Sequence, residues 1–81
     1  MQEKLTKLED EILQAIIEIT DDFGEEDKFI YDCLKEDGYD MNIVRGVIGS
    51  LVKKERIFFS EDYMGNIILR RYIYINHEVE I

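Results

Sequence analysis

The chain has 81 residues, of which 46% are hydrophobic, 36% charged and 11% aromatic; this composition describes one small globular domain and excludes a disordered chain. No apolar run approaches the ~20 residues of a membrane helix, and the opening MQEKLTKLEDE lacks the apolar core of a signal peptide. A single cysteine, Cys33, excludes an intrachain disulfide and reads as a buried thiol, so the expected compartment is the cytoplasm.

The net charge of −9 argues against nucleic acid, but its distribution is uneven. Residues 1–40 hold 14 acids against 4 lysines (−10), whereas residues 41–81 hold 5 acids against 6 cations (+1). The molecule is therefore expected to be polarised, with an acidic half and a mildly basic half.

In chain order, the first helix is expected over about residues 6–20. Thr6-Lys7-Leu8-Glu9 fits a capping box, although a start nearer Gln2 would make Thr6 internal. Leu5, Leu8, Ile12, Ala15, Ile16 and Ile19 form one apolar face, and Leu13 and Ile17 form a second stripe about 100° away. Two stripes require two neighbours, either within the monomer or across a homodimer, which makes Leu13 and Ile17 the candidate dimer contacts. After a turn in which Asp22 or Gly24 can cap, a second helix is expected over about residues 25–37, with Phe29, Ile30, Cys33 and Leu34 inward. Gly38 is a natural left-handed stop.

Asp40 then caps a third helix over about residues 41–55, with Ile43, Val44, Val47, Ile48, Leu51 and Val52 apolar. Its opposite face reads Asn42, Arg45, Gly46, Gly49, Ser50, Lys53 and Arg56, without a carboxylate, in a chain that has 19. Each interior glycine costs a helix about 0.8–1.0 kcal/mol relative to alanine. Gly46 and Gly49 therefore mark close approach to a phosphate or base edge, tight helix packing, or simple tolerance. From Ile57 the period becomes extended. Ile57-Phe58-Phe59 is a short strand, Ser60 to Asn66 the tip, and Ile67 to Ile75 a second strand that outruns the first, so that its Tyr72–Ile75 end pairs with something else or packs against the first helix. Residues 76–81 are expected to fray.

Helix, short glycine turn, helix and hairpin is a helix-turn-helix layout followed by a wing. The segment Val44-Arg45-Gly46-Val47-Ile48-Gly49-Ser50-Leu51-Val52-Lys53-Lys54, with Ile57 and the hairpin, resembles small winged helix-turn-helix proteins of bacterial transcription regulation and of phages or mobile elements. The resemblance covers about residues 6–75 and implies an α+β fold of three helices followed by a β-hairpin wing. It departs at Glu55-Arg56, where the family commonly has glycine. It implies that the third helix enters the major groove of double-stranded DNA and that the wing meets the backbone. The implied contacts are Asn42, Arg45, Gly46, Gly49, Ser50, Lys53, Lys54, Arg56, Asn66 and Arg70.

Strand alternation sends Arg70 and Arg71 to opposite faces, so one at most meets DNA. Tyr31, Tyr39, Tyr72 and Tyr74 are expected to seat their rings on the core. One histidine, His77, and one distant cysteine make neither a metal site nor a nucleophile-base pair, and no phosphate loop is present, so neither an enzyme nor a cofactor is expected. Two readings stand: a small, homodimeric DNA-binding regulator, or an acidic module or inhibitor that engages a basic protein surface, as DNA-mimicking, anti-restriction and anti-CRISPR proteins do.

Overall fold

The computed structural model describes residues 4–21 and 24–77. Its elements are α1 (Lys7–Thr20), β1 (Gly24–Glu26), α2 (Asp27–Glu36), α3 (Met41–Lys53), β2 (Ile57–Met64) and β3 (Ile67–Ile75). Three helices and a three-stranded antiparallel sheet make an α+β architecture.

The helix ends follow local chemistry. Thr6 is the N-cap of α1. The Glu9 N–H donates to Thr6 Oγ1 at 3.2 Å and the Thr6 N–H donates to Glu9 Oε1 at 2.7 Å, which closes the capping box. The α2 helix ends at Gly38 (φ +95°), where the Gly38 and Tyr39 N–H groups donate back to the Lys35 and Leu34 carbonyls in a Schellman arrangement. Asp40 caps α3 by accepting the Asn42 and Ile43 N–H groups at 2.8 and 3.3 Å.

The sheet order is β1-β3-β2. Two features differ from the sequence reading. Gly24-Glu25-Glu26, assigned to a turn and the start of the second helix, is a strand paired with Tyr72–Tyr74 of β3, so Gly24 is not a helix cap. It gives Tyr72–Tyr74 a second neighbour on the side away from β2; the expected overhang of β3 is absent, because β2 pairs with it through to Ile75. Asp22, the other candidate cap, lies outside the described residues. Gly24 is required here, because a Cβ would collide with the ring of Tyr74. The second difference is the length of β2. Ser60, Glu61 and Asp62, expected in the tip, pair with Tyr72, Arg71 and Arg70, and the strand continues to Met64. The turn is Gly65-Asn66 alone, glycine first at φ +62°, as type II′ hairpin turns require.

The core joins Ile12, Leu13 and Ile16 of α1, Ile30 and Leu34 of α2, Val44, Val47, Ile48 and Leu51 of α3, and Ile57, Ile73 and Ile75 of the sheet. This corrects the dimer assignment. Leu13 is 1% exposed and so is not available to a second copy, and Ile17 is partly buried against the same core. The second stripe of α1 is used inside the monomer, where α1 meets α2, α3 and β1. Tyr31 and Tyr39 pack on the core as expected, but Tyr72 and Tyr74 alternate to the other sheet face, where Tyr74 stacks on Phe58 with centroids 5.5 Å apart. Asn76, expected to fray, is tied by its N–H to the Arg56 carbonyl (3.0 Å) and by Nδ2 to the Glu55 carbonyl (2.7 Å). Residues 78–81 of that tail lie outside the described residues.

Candidate functional site

The α3 periodicity leaves Asn42, Arg45, Gly46, Gly49 and Lys53 exposed on one side. Ile43, assigned to the apolar face, is exposed with them. A Cβ added at Gly46 or Gly49 would meet nothing within 4 Å, so tight packing is not the reason for either glycine. The helix backbone is open to solvent at both.

The rest of the expected basic face is taken up within the fold. Glu9 of α1 is 5% exposed and fills the gap in the acid-free face of α3. Ser50 Oγ donates to Glu9 Oε2, and Lys54 Nζ donates to Glu9 Oε1 at 2.7 Å and to the Lys4 carbonyl at 3.1 Å. These bonds, with Lys54 first, hold the Glu9 carboxyl down at about 2 against an ordinary 4.5, outweighing the opposing effect of burial. Ser50 and Lys54 are therefore structural partners of a buried carboxylate and not free contacts. Arg56 is 8% exposed and is also withdrawn from the surface. Of the cations assigned to this helix face, Arg45 and Lys53 remain exposed.

The end of α3 explains the departure at Glu55. Glu55 takes the left-handed position (φ +62°) of a Schellman ending, with its own N–H and that of Arg56 donating to the Val52 and Leu51 carbonyls. A left-handed non-glycine residue costs roughly 1–2 kcal/mol. Glu55→Gly is expected to stabilise the domain by about 1 kcal/mol, measured as a rise in denaturant midpoint.

The hairpin differs most from expectation. An ion pair crosses the strands, with Arg71 Nη2 3.4 Å from Glu61 Oε2, and the Arg71 guanidinium sits 5.4 Å from the Phe59 ring centroid; Arg70 lies opposite Asp62 in register and donates to the Tyr72 hydroxyl at 3.5 Å. Arg70 and Asn66 are exposed, as a DNA-contacting hairpin would need, but they flank apolar side chains. Tyr63, Met64, Ile67, Ile68 and Leu69 are 44–69% exposed. Leu69 has no register partner on β2, because Asp62 pairs with Arg70 and Tyr63 with Ile68, which marks a bulge. The sequence signal was available: three consecutive apolar residues, Ile67-Ile68-Leu69, cannot all face one side of a strand.

Cys33 is half-buried; burial first, then Glu36, Asp37, Asp32 and Glu25, push its thiol up and away from nucleophilic use. Among the described residues no three His, Cys, Asp or Glu side chains gather as a metal site, and no helix is long and apolar enough to cross a membrane. Comparison of the chain with family models, with curated proteins and with solved structures returned no match.

Proposed function

We propose that this chain is a winged helix-turn-helix domain adapted to protein recognition, which docks on a partner through the apolar tip of its hairpin. The observation that carries this reading is the exposure of Tyr63, Met64, Ile67, Ile68 and Leu69 on an uncharged stretch of the hairpin. Apolar side chains exposed together on both faces of one hairpin end mark an interaction site in a small domain. The three helices followed by a hairpin fit the winged-helix plan, but a DNA-binding wing would present cations where this one presents aliphatic side chains. The exposed acids Asp10, Glu11 and Glu18 of α1 and Asp32 and Glu36 of α2 favour a basic surface around the apolar contact, such as that of a nucleic-acid enzyme. They also repel phosphates.

One observation favours a second reading, duplex binding. The exposed stripe of Asn42, Arg45, Gly46, Gly49 and Lys53 carries no acid and offers open backbone. A fluorescence titration with a random-sequence duplex pool at two salt concentrations separates the two. Protein recognition predicts no saturable, salt-dependent binding. Saturable binding with enrichment of one sequence, weakened by about 1–3 kcal/mol in Arg45→Ala, would replace it with the duplex reading.

A further inference from the structure

We infer that the edge of β3 left open over residues 67–71 is the site at which a second copy of this chain adds, antiparallel about a two-fold axis at Ile68. The inference rests on the hairpin being a protein-binding element and concerns its open backbone edge, where the occupant is a second copy and not the basic partner. On the side of β3 away from β2, β1 pairs only with Tyr72, Ile73 and Tyr74. Among the described residues no strand continues that pairing along Arg71 to Ile67. A cleft of about 220 Å³ lies at this edge, lined by Glu26, Asp27 and Lys28 and by Ile68, Leu69, Arg70 and Arg71 of β3.

Charge and register select a second copy and this edge. Exposed strand edges are usually guarded by charges, and β2 has Glu61 and Asp62 near its middle. A two-fold axis there would gather four carboxylates of a chain that already carries −9. The segment from Tyr63 to Leu69 carries no charge. With the axis at Ile68, Ile67 lies across from Leu69 of the other copy, and Arg70 and Arg71 run beside its uncharged Gly65-Asn66 turn. No cation then faces a cation. Moving the axis to Leu69 would bring Asn66 opposite Tyr72, a place that Glu26 already occupies. The bulge at Leu69 shortens the regular ladder, so side-chain burial must supply most of the affinity. An interface this small belongs to the weak, reversible class.

Sedimentation velocity on the pure protein, from about 1 to about 500 μM, tests the inference over the range of such interfaces. Wild type is expected to shift reversibly from monomer to dimer, with slower amide exchange over residues 67–71 at the high concentration. Ile68→Lys sets two ammonium groups on the axis and is expected to weaken the dimer about a hundredfold. Its fold is checked by circular dichroism, and the wild-type exchange pattern decides if that variant unfolds. A monomer at every concentration, or a dimer without slowed exchange over residues 67–71, overturns the inference. A monomer that still captures another protein through Ile67 leaves the proposed function standing. A dimer formed through this edge by a protein that captures nothing leaves the inference standing without that function.

Discussion

Glu9→Ala is expected to cost about 3 kcal/mol, because it removes a buried, charge-assisted network that includes a helix cap. In a domain of this size that lowers the melting temperature by on the order of 15 °C. The network joins the start of α1 to the end of α3 through Thr6, Ser50 and Lys54. Glu9→Gln keeps an acceptor for the Thr6 N–H but loses the ion pair, so it should fall between wild type and alanine. The pH dependence follows from the ionisation of Glu9, which titrates at about 2 in the fold and at an ordinary 4.5 when unfolded. The stabilisation is complete above the unfolded value and is lost as pH falls through 4.5 toward 2. Thermal melts of wild type and Glu9→Gln should therefore differ fully at pH 6 and converge near pH 2. A constant difference would mean that the carboxylate is not held by these partners.

The hairpin should respond in the opposite way. Replacing Ile67 and Leu69 together by serine is expected to leave the melting temperature nearly unchanged, since both side chains are more than half exposed. The same change is expected to weaken capture of a partner protein by about a hundredfold, as truncation of central apolar anchors does. Arg45→Ala, on α3, is expected to change capture less than about twofold, in keeping with a charge outside the apolar contact. Equilibrium binding of the captured partner to the three proteins checks both statements.

Local chemistry was legible in the sequence. The Thr6-Glu9 capping box, the Gly38 stop, the Asp40 cap and the apolar faces of α1 and α3 each depend on residues within a few positions of one another. What escaped depends on distant partners. Gly24-Glu25-Glu26 has the composition of a helix start and becomes a strand only because β3 lies beside it. Ser60-Glu61-Asp62 reads as a polar turn until Tyr72, Arg71 and Arg70 are found across from it. The acid-free face of α3 looked like a nucleic-acid surface because its carboxylate, Glu9, comes from 41 residues earlier in the chain. Two of the assigned contacts, Ser50 and Lys54, are the residues that bind it. The second α1 stripe, Leu13 and Ile17, leaves monomer core and dimer contact both open in the sequence, because only the fold shows that α1 meets α2, α3 and β1 at once.

Site-specific photo-crosslinking in the native cell tests the central claim most directly. A photoreactive side chain would be placed at position 67 on the hairpin in one variant and at position 46 on the open face of α3 in another. The apolar-hairpin account predicts a discrete protein adduct from position 67 and none from position 46. Adducts to DNA from position 46, with nothing captured from position 67, would contradict it.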